Sequence, residues 1–443
     1  MPNMQHLERV VDLTDSSKNI IYNMTDDEAK ALLAGGDPNA VRRIDGQFAL
    51  VAVNGKTVRL ARSIGRPLRY FIAKRDDGPC LIASDRIDAI LNFLKSAGLD
   101  GQFHPSYTRM APAHYVTEIA LVGCPDPNPT YQRFFAPPRN ALSPDLADIG
   151  TLYMQALYDE IVKWLQQRAT EGPIGVCFSG GIDSGSVFLL TYHAMLQLGL
   201  NPARLKSFTL VVEGEGDDLA QARQFLKQLE LSLFLEPIEV SPEELNWQET
   251  IRVVEDYKPL DIQAATMGLA LCRGIRRRYP EWRYLIDGDG GDENLKDYPL
   301  EENPELTIRS VLNNRMLYQE GWGVDSIKHS LTYSGGLSRS YTRTYAPATM
   351  SGFEGFSPYT LPNVIEIAEA IPFIVLTGWN HEKLYQLKGE IVSRGVKAIT
   401  GLNMPVFSKR RFQHGAVSRS VFDRRFPSQP SEYRRAFHAL FEG

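Results

Sequence analysis

The chain has 443 residues, of which 43% are apolar and 23% charged, and its formal net charge is −5. That length suits two or three domains with a sizeable core, and the mild acidity gives no pull toward nucleic acid or a membrane surface. No apolar run reaches the roughly 20 residues that a bilayer-spanning helix needs, and the start, Met1-Pro-Asn-Met-Gln-His6, lacks a signal-peptide core. The cysteines are Cys80, Cys124, Cys177 and Cys272, with no Cys-x-x-Cys pair, and the 8 histidines show no zinc-ligand spacing. Reduced thiols and a cytoplasmic location are expected.

Residues 1–135 read as β-rich. Phe48–Val53 and Thr57–Ala61 flank Asn54-Gly55, the pattern of a hairpin with a two-residue turn. Tyr70–Ala73 and Cys80–Ala83 are expected to continue that sheet, followed by a helix over Asp85–Leu94. Prolines 125, 127 and 129 mark a break, and Ala136-Pro-Pro-Arg-Asn-Ala-Leu-Ser-Pro144 reads as a linker. From Asp145 the pattern changes. Leu146, Ile149, Leu152, Tyr153, Ala156, Leu157, Ile161, Trp164 and Leu165 fall at helical spacing. Ile174–Phe178 is a short apolar run expected to be a buried strand. Strands over 207–212, 233–240 and 284–286 then alternate with helices over 218–229, 242–255 and 262–276. Such alternation predicts a parallel sheet with helices on both faces, which binds ligands beyond the carboxyl ends of its strands. Residues 300–443 read as mostly helical and irregular.

Two short turns carry the chemistry. The first, Ser179-Gly180-Gly181-Ile-Asp183-Ser184, lies between a strand and a helix start. Adjacent glycines leave no Cβ between backbone and ligand, and the helix start gathers unpaired N–H groups, so the concavity suits a phosphate. Asp183 would repel a bare phosphate and makes sense with a magnesium ion between them. The second, Asp287-Gly288-Asp289-Gly290-Gly291-Asp292-Glu293, sets four carboxylates among three glycines at a strand end, where they need a cationic partner. It lacks the later glutamate of a calcium loop.

Together the two turns resemble the asparagine synthetase family of the ATP pyrophosphatase superfamily, which has Ser-Gly-Glu-Gly-Ser-Asp-Glu at the second turn. The resemblance is strongest at 174–187, 207–230, 255–272 and 284–298. Ser351–Tyr359 resembles the family's Gly-x-Glu-x-Arg-x-Pro-Phe segment, and Ser408–Gly415 its lysine-bearing loop. The fold class implied is α/β. A degenerate Ntn-type, β-sandwich-like glutaminase relic would occupy 1–140. A parallel-sheet ATP pyrophosphatase domain with helical additions would occupy 141–443. Ile44–Ala49, Ala61–Leu68 and Ala83–Asp85 match strands of the glutaminase. Pro2 stands where that enzyme needs cysteine, no cysteine precedes Cys80, and the Asn-Gly-Glu segment is missing. Glutamine is therefore not expected to be the nitrogen source.

The resemblance implies ATP and Mg2+, with a small-molecule or peptide carboxylic acid and ammonia or an amine as partners. The acid attacks the α-phosphorus of ATP, and the nitrogen then displaces AMP. Ser179, Gly180, Gly181, Asp183, Ser184, Gly288 and Gly290 would bind the nucleotide, and Asp183 and Asp292 the metal. Lys409 would reach the α-phosphate. Asp289, where relatives carry Glu or Tyr, would take the amine's proton. Gly291 for Ser, Gln263 for Arg and the missing Arg in Gly352-Phe-Glu-Gly355 point to a reshaped acid pocket. An intramolecular cyclase like the β-lactam synthetases, and a non-catalytic ATP-binding protein, stay open alongside this reading. No nucleic acid or membrane partner is expected. The oligomeric state is left open, and a dimer is compatible with it.

Overall fold

The computed structural model describes residues 9–122, 128–212, 217–296, 337–338, 340–408 and 415–442. Pro2, Cys124, Pro125, Pro127 and Lys409 lie outside the described residues.

The N-terminal part holds two four-stranded sheets rather than one continuous sheet. Thr130–Arg133, Tyr115–Ala120, Thr57–Arg62 and Ala49–Asn54 lie side by side in one, all antiparallel. Val10–Asp12, Cys80–Ser84, Arg69–Ala73 and Arg109–Met110 form the other. Tyr70–Ala73 and Cys80–Ala83 thus build a second layer. The apolar cluster of Ala49, Val51, Leu60, Tyr70, Leu81 and Ile119 draws on both layers, the arrangement that defines a sandwich. The hairpin forms one residue later than its dipeptide suggests. Asn54 pairs with Thr57, so Gly55 and Lys56 make the turn, and Gly55 takes a φ of 61°. That places glycine first in the turn, where a II′-type hairpin wants it.

The C-terminal part is built on a parallel sheet. Its strands run in the order Leu235–Val240, Leu205–Val212, Ile174–Cys177, Tyr284–Ile286 and Glu354–Phe356, and every pairing is parallel. The chain reverses its direction of travel across the sheet between Ile174–Cys177 and Tyr284–Ile286, so both expected turns leave neighbouring strand ends. Ligands favour this switch point. The last strand has only three residues, one of them a glycine, and periodicity does not reveal it.

Helix Leu146–Gln167 packs Trp164 flat against Phe356, with centroids 4.8 Å apart and an interplanar angle of 9°. It also crosses helix Leu384–Thr400 at very short range. A Cβ at Gly150 would stand 2.5 Å from the Ile391 carbonyl oxygen, and one at Gly395 would overlap the Gly150 carbonyl. This close crossing aims the first turn of Leu384–Thr400 at the carboxyl ends of the strands. Residues 136–144 are not a free linker, because the Asn140 and Leu142 N–H groups donate to the carbonyls of Glu369 (3.1 Å) and Ala370 (2.9 Å). The basic helix end at 273–278 is likewise tied down. Arg273 pairs with Glu249, Arg277 with Glu244 and Arg278 with Glu236, while Arg276 lies 3.9 Å over the Phe353 ring. No helix among the described residues is long and apolar enough to cross a membrane.

Candidate active site

The first turn follows a buried strand and opens helix Ile182–Gln197. Gly180 has a φ of 70°, and a Cβ there would come within 2.9 Å of the Ala222 backbone. Only glycine fits that conformation at that distance. Gly181 is the N-cap of the helix and supplies no side-chain cap, so the first-turn N–H groups face outward as donors. Ser179 and Ser184 close the turn on itself. Their hydroxyls lie 3.2 Å apart, the Ser179 N–H donates to Ser184 Oγ (3.2 Å), and the Gly181 N–H donates to Ser179 Oγ (3.3 Å). Gln221 holds the outer side by donating to the Ser179 carbonyl (3.2 Å).

The second turn lies directly against the first. A Cβ at Gly288 would stand 2.7 Å from the carbonyl carbon of Asp183, and one at Gly291 would overlap Asp183 Oδ1. Gly288 therefore serves the contact between the turns, and at Gly291 the Asp183 carboxylate occupies the space that a side chain would need. Gly290, with a φ of 106°, caps the short helix Gly291–Asn294 that carries Asp292.

One lysine joins the two turns. Lys388 Nζ donates to Asp183 Oδ2 (2.6 Å) and to Asp292 Oδ1. Lys388 is 3% exposed, whereas the two carboxylates keep 21% and 28% of their side-chain surface in contact with solvent. Two carboxylates converging on one cation form an oxygen donor set that fits magnesium. Among the described residues no three or more His, Cys, Asp or Glu gather as a metal cage. Two carboxylates completed by phosphate oxygens are the usual arrangement for that ion. Sequence reasoning missed Lys388. The signal was present nonetheless, since Lys388 falls in line with Leu384, Leu387, Ile391 and Val392 on the buried face of its helix. A lysine on an apolar stripe is rare without a buried partner. Lys388→Met leaves the two carboxylates facing each other. We expect it to lower stability by about 2 kcal/mol in metal-free buffer, less than a fully buried pair would lose because the carboxylates are part-exposed. Urea unfolding with and without magnesium checks this: the deficit should shrink when the ion is added.

Asp289 occupies the inner end of the second turn. The residue is half-buried, but its Oδ2 is shut off from solvent with no hydrogen-bond partner among the described residues. Burial lifts its carboxyl to about 6, against the pull of the Arg343 charge and a hydrogen bond from Thr344, and the charges of Glu293 and Asp292 add to the rise. Asp287 lies behind it, 2% exposed. Its carboxylate accepts the Asp289 N–H (3.0 Å) and the Ser357 hydroxyl (2.8 Å). Burial and the neighbouring Asp289 charge push Asp287 well above the usual carboxylate range. Arg343 comes from a single π-helical turn, Tyr341–Tyr345. That turn packs so closely on helix Pro259–Arg278 that a Cβ at Gly268 would overlap the Arg343 carbonyl. Burial works against the Arg343 charge, and Glu293, Asp261, Asp289 and Asp292 more than offset it. Arg343 carries no signal in the sequence read alone, whereas Asp287 is one of the four carboxylates already expected in the second turn.

The remaining expectations are placed as follows. Ser179, Gly180, Gly181, Asp183, Ser184, Gly288, Gly290, Asp289 and Asp292 all lie in or beside these two abutting turns. Lys409 lies outside the described residues. The residues just after its loop return to this end of the sheet: a Cβ at Gly415 would overlap the Asp218 carboxylate, and the Ala416 carbonyl accepts the Val212 N–H (3.3 Å). Gln263 donates to Tyr433 Oη (3.3 Å).

Residues 158–346 match the family model described as asparagine synthase. The matched stretch contains both turns and Arg343 and ends before Lys388. No curated protein matches the chain.

Proposed function

We propose that the protein is an ATP-dependent, AMP-forming amide synthetase that joins a carboxylic acid to ammonia or an amine without using glutamine. The observation that carries this reading is the meeting of Asp183 and Asp292 at one cation, Lys388 Nζ, beside an uncapped helix start. The match to asparagine synthase supports an ATP-dependent, amide-forming ligase in general. Glutamine independence rests on the missing Asn-Gly-Glu segment of the glutaminase pattern.

In this reading the N–H groups at the start of helix Ile182–Gln197 and the hydroxyls of Ser179 and Ser184 bind the departing pyrophosphate. Asp183 and Asp292 hold magnesium, which when bound neutralises phosphate charge. Lys388 gives up part of its carboxylate contact and meets phosphate charge instead, and Lys409 serves the α-phosphate. Asp289 accepts the proton of the attacking amine. Its enclosed Oδ2 and raised affinity for a proton suit that work, while Arg343 keeps it from rising further. Asp287 fixes the backbone of Asp289 by accepting its N–H.

Incubation with ATP, magnesium, ammonium and a panel of carboxylic acids tests the proposal. AMP and pyrophosphate should accumulate together, and glutamine should not replace ammonium. Formation of ADP and phosphate, or binding of ATP with no turnover across the panel, would overturn it. The pH dependence follows from Asp289. A base held near 6 is protonated and inactive at lower pH, so the amide-forming rate should fall below about pH 6. Asp289→Asn should lose about 10²-fold in that step and flatten this limb of the profile, as a pH–rate series on both proteins would show.

A further inference from the structure

We infer that Gln47, a side chain of the N-terminal part, is a positioning residue for Asp289: it holds the turn Ser357–Thr360, and that turn fixes the backbone from which the proposed base projects. The inference rests on the amide-forming reaction proposed above, and it gives the N-terminal part a role in that reaction besides completing the fold.

Gln47 ends the two-residue strand Gly46–Gln47, which pairs with Ile20–Ile21. A Cβ at Gly65 would stand 2.8 Å from Gln47 Nε2, so glycine there leaves the space that the amide fills. Gln47 Nε2 reaches into the parallel-sheet part, where it donates to the Thr360 hydroxyl and, at 3.5 Å, to the Ser357 carbonyl. The Thr360 hydroxyl gives its own proton to the Ser357 carbonyl (2.7 Å). It can therefore only accept from Gln47, which sets the orientation of the amide. Ser357 precedes the single 3-10 turn Pro358–Thr360, yet its hydroxyl is directed to Asp287 (2.8 Å) rather than to the turn. The other carboxylate oxygen of Asp287 accepts the Asp289 N–H (3.0 Å). Gln47, Thr360, Ser357 and Asp287 are all buried, so solvent is poorly placed to replace a lost link.

The same short turn anchors two further elements. The Tyr359 carbonyl accepts from Asn294 (3.0 Å), and the Tyr359 hydroxyl lies 2.6 Å from that of Ser186. Asp183 and Asp292 are instead joined directly through Lys388, so loss of Gln47 should disturb Asp289 more than the pair that would hold the metal. Stability alone does not account for this glutamine. Its Oε1 is buried with no partner among the described residues, and an orphaned acceptor costs free energy that an apolar side chain of similar size would not. What the amide adds is the donor that holds the turn.

Kinetics and hydrogen exchange on the full chain test this. Gln47→Leu removes the donor and the orphaned oxygen together, so its urea midpoint should match that of the unaltered protein. Its amide-forming rate should fall at least about tenfold, because small displacements of a reacting group are costly, while the first turnover of pyrophosphate release stays near that of the unaltered protein. Thr360→Val keeps the shape but not the hydroxyl and should show the same selective loss. Thr360→Ser keeps the hydroxyl and should recover most of the rate, whereas a packing role predicts the reverse order. Without any turnover, amide hydrogen exchange over 287–295 should quicken in Gln47→Leu and Thr360→Val, with exchange over 146–167 unaltered. Exchange that does not quicken in either variant, or amide formation as fast as in the unaltered protein, overturns the inference. Should Gln47→Leu fail to fold, the two Thr360 variants decide it. If the unaltered protein forms no amide at all, the proposed reaction fails, and the exchange data still decide whether Gln47 holds the second turn.

Discussion

Replacing Asp292 with Asn should cut pyrophosphate release at least about 10³-fold, and Asp183→Asn should do the same. Asn keeps the size and one acceptor oxygen but loses the negative charge that a hard cation requires. The loss corresponds to the several kcal/mol that a bound ion supplies in offsetting phosphate charge. Both side chains reach the same ammonium, so their effects should not add: residues sharing one partner couple strongly. The double variant should therefore be little worse than either single one. Pyrophosphate release by all three proteins, each first shown to be folded, checks this. Near-unaltered release from either single variant would remove that residue from the site.

The second large effect concerns stability. Glu255 ends helix Trp247–Val254 in a left-handed conformation, φ 55°, and is 4% exposed. Its carboxylate accepts the N–H groups of Ile87 (2.8 Å) and Asp88 (2.9 Å), and pairs with Arg69 (2.8 Å) and Arg86 (3.4 Å). Helix Ile87–Ser96 has no side-chain cap from its own N-cap residue Arg86. A residue 168 positions away therefore does the capping. Glu255→Ala would orphan two helix donors and leave Arg69 buried without a counter-charge. We expect a loss of about 3–5 kcal/mol, the range seen when one partner of a buried pair is removed. Urea denaturation checks this. A loss below about 1 kcal/mol would mean that the contact between the N-terminal sheets and the parallel-sheet part does not depend on Glu255. Glu255→Gly relieves the left-handed backbone yet should still lose most of that amount, which separates the carboxylate from the strain.

These two cases show where sequence reading works and where it stops. The turns at 179–184 and 287–293 are legible because glycine, serine and aspartate have few reasons to cluster at a strand end. The parallel sheet is legible because its three inner strands are buried on both faces and read as apolar runs. Contacts between distant segments leave no such trace. Lys388 meets Asp183 across 205 positions and Asp292 across 96, and local periodicity shows only that one lysine is misplaced on a buried face. The Glu255 cap is hidden for the same reason. Strand Glu354–Phe356 is too short for any period. The assignment of Tyr70–Ala73 to a second layer depends on tertiary packing, which period-two alternation does not encode.

The central claim is that two glycine-and-aspartate turns share one metal-bound nucleotide, and calorimetric titration with magnesium and a non-hydrolysable ATP analogue tests it most directly. The unaltered protein should bind the analogue only with magnesium present, and Asp183→Asn and Asp292→Asn should each weaken binding by at least about tenfold, or 1.4 kcal/mol. Binding that is indifferent to magnesium, or that survives either substitution at full strength, would contradict the account.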